Sequence, residues 1–204
     1  MISQGISHTA YDVMREYMIT GAELDGKYQI PMMERYTDRP GEDTVDFKDS
    51  FSPKIKNHRK LTVNFYIHDC EFERIWNNPD RYLEHLKCFH SVITPDFSMA
   101  VGQGGMPFAM NIWQKYRNHA LSYYLSMNGI KVIPNVNIPP EYCYDWAFDG
   151  VPKRSTVACC TNGRIKARVS REEFCKGFKE MEKRIEPLRV IVVGTIPPEL
   201  KTDA

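Results

Sequence analysis

The chain has 204 residues, of which 42% are hydrophobic, 12% aromatic and 26% charged, which is ordinary globular usage at a length that favours one core over two. Lys plus Arg number 27 against 26 Asp plus Glu, so net charge supplies no general attraction to nucleic acid or to an anionic membrane surface. The 6 cysteines include no CxxC pair, no secretory segment opens the sequence, and no apolar run approaches the roughly twenty residues that span a bilayer; this predicts reduced thiols in a cytoplasmic protein, with no zinc-finger or disulfide framework.

In chain order, residues 1–57 read as an N-terminal arm packed on a core domain of residues 58–204. Within the arm, Tyr11 to Met18 has the pattern of a short amphipathic helix. Tyr28 to Met32 can supply a strand that Pro31 confines to a sheet edge, whereas Asp38 to Pro53 is polar, acidic and punctuated by Pro40 and Gly41, which predicts irregular chain. The core then alternates short apolar runs with helical segments. The runs are Leu61 to His68, Ser91 to Thr94, Ile130 to Pro134, Ser155 to Cys160 and Leu188 to Val193. That alternation predicts an α/β fold: a single domain with a mostly parallel sheet of five or six strands flanked by helices, plus the irregular arm.

Between the first two runs, Glu71 to Trp76 and Asp80 to Cys88 read as helical pieces broken at Asn77, Asn78 and Pro79. Pro107 opens a long helix that ends at Asn128 and Gly129, and Met110, Trp113, Ala120, Tyr124 and Met127 recur near helical spacing as its packing stripe. Ser170 and Glu173 form a capping box ahead of a second stripe, Phe174, Phe178, Met181 and Ile185. The basic residues of that helix, Lys176, Lys179, Lys183 and Arg184, are interleaved with glutamates and read as a solvated face. The last run, Val190 to Val193, is apolar on both faces, which predicts a central strand covered by helices on each side.

Open parallel α/β sheets bind ligands beyond the carboxyl ends of their strands. The polar residues that follow each run are therefore the candidates: His68, Asp69 and Cys70; Asp96 and Ser98; Asn135 and Asn137; Thr161, Asn162 and Gly163; Gly194 and Thr195. Asp96 and Asp69 are the candidate catalytic residues, because two carboxylates in unequal surroundings can divide acid and base roles or together hold a divalent cation. The competing role for each is to cap a helix, a weaker alternative for Asp96, whose run leads into a glycine-bearing loop. Asn135, Ser98, Thr161 and Asn162 are candidate ligand-binding residues. Arg117, on a helix otherwise occupied with packing, is the candidate cation for a carboxylate or phosphate, with a structural salt bridge as the alternative.

Other signals are weaker. Gly102, Gly104 and Gly105 match neither the P-loop nor the dinucleotide fingerprint, so their loop reads as a surface turn. Cys159 and Cys160 are adjacent in a strand, so at most one faces a pocket, and no neighbouring charge marks either as a thiolate nucleophile. No two histidines have the i, i+4 spacing of a helical zinc site.

Several segments form a recognisable set: Phe72 to Pro79, Pro95-Asp96-Phe97-Ser98, Tyr116-Arg117-Asn118, Asn128-Gly129-Ile130 with Val132 to Asn135, Phe148 to Pro152, and Ser155-Thr156-Val157. Together they resemble the domain-of-unknown-function family DUF4417, found in bacteria, phages and other mobile elements. The resemblance implies a phage or mobile-element setting, and a host-cell cytoplasm if the chain is phage-encoded. The family carries no established activity, so no chemistry transfers with it. Two departures bear on a pocket: the loop Gly102 to Gly105 is richer in glycine, and the segment after Asn137 richer in proline, than the family pattern.

Three functions compete. The first is an enzyme acting on a nucleotide or other small polar ligand at the carboxyl rim, with the cofactor open and a divalent metal compatible with it. The second is a non-catalytic module that binds a host protein or sequesters a ligand, through a patch that Tyr11, Tyr17, Met18, Met32, Met33 and Tyr36 can furnish, with core packing as an equal alternative for those residues. The third, nucleic-acid binding through Lys115, Tyr116, Arg117, Tyr123 and Tyr124, is disfavoured by the near-neutral charge.

Overall fold

A computed structural model describes residues 14–102 and 104–200. Residues 11–13 of the predicted helix Tyr11 to Met18 lie outside these residues, and its described remainder forms a 3-10 turn, Glu16–Ile19, and not an α-helix. A two-residue antiparallel pair follows, β1 (Leu24–Asp25) with β2 (Ile30–Pro31), and then β3 (Asp43–Asp46). The remaining elements are β4 (Leu61–Asn64), α1 (Asp69–Asn77), α2 (Asp80–Leu86), β5 (Ser91–Ile93), α3 (Phe108–Met127), β6 (Val132–Ile133), α4 (Tyr144–Ala147), β7 (Thr156–Cys160), α5 (Arg168–Ile185) and β8 (Arg189–Val193).

All five predicted runs form strands, and all pair in parallel. β3, β4, β5 and β6 stand in that order, and β7 pairs with β8. The two groups are joined just past β6 by a parallel bridge between Asn135 and Ala158. There the Ala158 N–H donates to Pro134 O and the Val136 N–H to Ala158 O, each at 2.8 Å. Six strands therefore stand side by side in the order of the chain. The sixth is β3, drawn from the stretch expected to be irregular, and not residues 28–32. Val45 and Phe47 alternate with outward-facing Thr44 and Asp46, and the pair is buried at 8% and 0% exposure. Pro31 has no N–H to give a ladder, and its strand stops at two residues.

Strands in chain order with right-handed crossovers place every connecting helix on one face. The side chains agree. Val63, Val92 and Val132 pack with Phe72, Leu86 and Leu121 of the first three helices, and Val157 and Cys159 pack with Phe174 and Met181 of α5. The opposite face carries a small separate cluster of Tyr36, Ile93, Ile133 and Ala158. Chain order also overturns the expected central place of the last run. β8 is an edge strand, and Val190 to Val193 are only partly buried. It is apolar on both sides because Val190 and Val192 touch the α5 cluster while Ile191 and Val193 touch the opposite one.

Two helices differ from expectation. Met110 and Met127 of α3 are 49% and 54% exposed, so the two ends of the proposed stripe are not packed, whereas Trp113, Ala120 and Tyr124 between them join the core cluster. Ala120, Leu121 and Leu125 face the sheet core, and the arm covers α3 from outside, which buries polar residues all round it. Of the two roles open to the arm residues, Met18, Met33 and Tyr36 take that of core and not of an exposed patch. The buried Lys115 Nζ donates to Ala147 O at 2.9 Å, and His119 Nδ1 meets Pro31 O at 2.9 Å. Burial pushes the Lys115 pKa down to about 7, and with Arg117 also buried the cations of the nucleic-acid reading are turned inward. α5 starts at Arg168 behind Ala167 with no side-chain cap. Ser170 and Glu173 lie within its first turns, and the predicted capping box does not form. An Arg168–Glu172 pair at 2.8 Å supports that end instead. Its apolar stripe is buried as predicted.

All six cysteines are unpaired. No described helix is long and apolar enough to cross a membrane. Leu121 is fully buried between α3 and the sheet, and Leu121→Ala is expected to cost about 2–5 kcal/mol by the lost transfer energy and the cavity left behind. Urea unfolding of the two proteins measures it.

Candidate functional site

The carboxyl ends of β4, β5, β6 and β7 converge on one polar pocket of about 220 Å³. Each strand contributes to the wall: Tyr66 after β4, Asp96 and Ser98 after β5, Asn135 and Asn137 after β6, and Cys160, Asn162 and Arg164 at and after β7. Asp96 is the best-held group. Its Oδ1 accepts from Asn135 Nδ2 at 2.8 Å and Asn137 Nδ2 at 3.0 Å. Asn135 is itself fixed by the Tyr66 hydroxyl, which donates to Asn135 Oδ1 at 2.8 Å. The second oxygen, Oδ2, takes no hydrogen bond from the described residues.

Desolvation raises the Asp96 pKa to about 6; the two amide donors and, less strongly, the Arg164 charge pull the other way, and the Asp69 charge adds to the rise. At neutral pH this carboxyl is mostly ionised but within about one unit of its midpoint, a range in which a group can both give and take a proton. The Tyr66 phenol is pushed well up by burial and by the neighbouring Asp96 charge, so it acts as a neutral hydroxyl donor.

The loop that carries Asp96 is clamped on both sides. Asn118 of α3 grips the backbone of Phe97, accepting its N–H at 2.8 Å and donating to its carbonyl at 3.4 Å. Asp69, at the first position of α1, accepts from the Ser98 hydroxyl at 2.8 Å and from the Ser98 N–H at 3.1 Å. The Asp69 carboxylate thus ties α1 to the loop and does not cap its own helix, whose N-cap is His68. Arg117 lies in the core beneath this loop. It stacks on Phe97 at 3.5 Å and pairs with Glu73 at 2.5 Å, so it meets a structural partner and does not line the pocket.

Of the other sequence candidates, Asn162 and Ser98 reach the pocket wall. Thr161 is buried, and its N–H and hydroxyl both turn to Val193 O. Cys160 lines the pocket while Cys159 points into the α5 core, where burial pushes its thiol up to about 12. Among the described residues no group of three or more His, Cys, Asp or Glu is placed to hold a metal ion, and Asp69 is already engaged by Ser98. Two polar wall residues escaped sequence reasoning. Tyr66 could have been found by counting alternate positions from Thr62 through Asn64. Arg164 could have been found as a cation at the end of the Thr161-Asn162-Gly163 turn.

Fold and pocket together define a parallel α/β domain with a polar, carboxylate-bearing site at the carboxyl rim of its sheet. Within that class, the model of the family described as a domain of unknown function (DUF4417) matches residues 22–204, and the chain belongs to this family. Among curated proteins it is similar to the Gene 1 protein of Mycobacterium phage L5, with 33% identity over 134 residues, covering 66% of this chain and 57% of that protein. It is also similar to the Gene 1 protein of Mycobacterium phage D29, with 30% identity over 134 residues, covering 66% and 48%. The chain spans about half the length of these relatives. No solved structure matches it.

The two clamps predict an order of effects. Asn118→Ala leaves buried backbone groups of Phe97 unpaired and is expected to cost about 1–3 kcal/mol. Asp69→Ala, at a more exposed contact, is expected to cost roughly 1 kcal/mol or less. Denaturant midpoints of the two variants test the ranking.

Proposed function

We propose that the rim pocket binds a small polar molecule, a nucleotide or a smaller metabolite, and that Asp96 exchanges a proton with it, which makes the chain an enzyme. The observation that carries this reading is the Asp96 carboxyl itself, poised near pH 6 by burial and held through one oxygen by Asn135 and Asn137. Asn137, Asn162 and Ser98 are its proposed ligand-contacting neighbours, with Asp69 and Arg117 setting the loop. Phage relatives and unpaired thiols support a phage or mobile-element protein working in a host cytoplasm.

A second reading, a module that docks on a host protein, is favoured by an apolar groove between the arm and α3. Its rim includes Met14 and Leu24, exposed at 51% and 46%. Leu24→Glu would abolish such docking and leave the pocket untouched.

The test of the enzyme reading is Asp96→Asn, which keeps an acceptor for both amides while removing the charge. An Asp with its native pKa raised above 3.8 binds its proton more tightly folded than unfolded. Its contribution to stability is therefore full below about pH 4 and is lost as pH rises to about 6. Asp96→Asn should flatten this slope and be no less stable than wild type at neutral pH. In a thermal-shift screen of nucleotides and sugar derivatives, the compounds that stabilise wild type should stabilise the variant far less. If the variant is unstable and the folded fraction still responds like wild type, Asp96 is a structural residue and the reading fails.

A further inference from the structure

Proton exchange at Asp96 leaves one wall of the pocket unused. Arg164 stands there, on the turn that follows β7: its N–H donates to Thr161 O at 3.0 Å, and Gly163, with φ +74°, lets the chain reverse. The guanidinium is anchored by Nη2, which donates to Ile138 O at 2.7 Å. Nε and Nη1 make no hydrogen bond, and the side chain has no carboxylate partner, among the described residues. Arg117, drawn further into the protein, is paired with Glu73. Arg164 is held through a single N–H, with its charge left for something else. A guanidinium fixed through one N–H and lacking an acid offers a fork suited to the two oxygens of a carboxylate or phosphate.

Across the pocket stands Asp96, with Oδ2 unengaged. The two groups influence each other electrostatically but do not form an ion pair, so the space between them separates a cationic wall from a carboxyl wall. An anion placed at Asp96 would be repelled, and a simple cation placed at Arg164 likewise. A molecule that satisfies both walls carries an oxyanion at one end and a hydroxyl at the other. Size narrows the class further. The pocket, at about 220 Å³, falls below the roughly 300–1,000 Å³ of sites for drug-sized ligands. The apolar recess on the other side of Arg164, bordered by Val101 and Trp146, adds only about 30 Å³.

We propose that the ligand of this pocket is a small hydroxylated oxyanion, of sugar-phosphate or sugar-acid type, with its phosphate or carboxylate on Arg164 and a hydroxyl on Asp96. This rests on the rim pocket being the ligand site. Binding to the full chain is measured by calorimetry with ribose 5-phosphate, gluconate and neutral ribose at millimolar concentration. One or both anions should bind, and the arm that binds tells phosphate from carboxylate; ribose should bind at least tenfold more weakly. Arg164→Gln should weaken the anion by roughly tenfold or more, with Arg164→Lys in between and circular dichroism unchanged for both.

Ribose binding as well as its phosphate, anion binding unaffected by Arg164→Gln, or no binding by any of the three would each overturn the assignment. Asp96→Asn separates this failure from that of the enzyme reading. If ribose binds and Asp96→Asn removes it, the rim pocket stands and only the anion is wrong. If binding of every probe ignores both substitutions, the pocket reading falls with it.

Discussion

Where Asp96 sits depends on a hydrogen-bonded pair one residue away, the grip of the Asn118 amide on both backbone groups of Phe97. A strand that ends in a loop leaves its backbone polar groups without a ladder, and burying them unpaired costs about as much as a lost hydrogen bond. Asn118 satisfies both from within α3, so the loop after β5 is registered on the helix instead of on solvent. Everything at the rim follows from that registration. Phe97 is fixed on the Arg117 guanidinium, Ser98 is brought to Asp69, and Asp96 is turned toward the amides of Asn135 and Asn137.

This arrangement explains why α3 carries so many polar residues in the interior. A helix that served only as a cover would present an apolar stripe to the sheet and charges to water. α3 is wrapped by the arm, and its outward polar groups become brackets: Asn111 holds the carbonyls of Met106 and Pro107, Lys115 that of Ala147 and His119 that of Pro31. Burial holds Lys115 and His119 away from their ordinary charged forms, so they act more as hydrogen-bonding pegs than as charges. The arm is accordingly part of what makes the site rigid, although it contributes no residue to the pocket wall.

Much of the scaffold was legible from local pattern. Runs such as Ser155 to Cys160 are too short and too β-branched to be helices, and the polar residues after them had to fall on one rim once the strands were parallel. That reasoning located Asp96 beside Asn135, although they are 39 positions apart. What stayed hidden depends on pairings that no local pattern encodes. Arg117 looked available because Glu73, its partner, lies 44 residues away. The last run looked central because burial on two faces reads the same whether a strand is flanked by neighbours or stands at the end of a sheet with a cluster on each side. Arg164 sits in a polar turn whose composition resembles any other, and only the position of that turn over the pocket distinguishes it.

Strands laid side by side in chain order also fix the sequence in which the pocket is made during synthesis. Each crossover joins strands that are neighbours both in the chain and in the sheet, so the walls of the pocket emerge one after another. A nascent chain that has emerged through Val136 already holds Tyr66, Asp96 and Asn135. It still lacks the wall with Asn162 and Arg164, and the segment after β6 has no Ala158 to pair with. Until β7 arrives, the unfinished rim coincides with an open parallel edge, the kind of surface that recruits strands from other chains. The strand and turn that complete the pocket wall are thus also the ones that cover the open edge of β6.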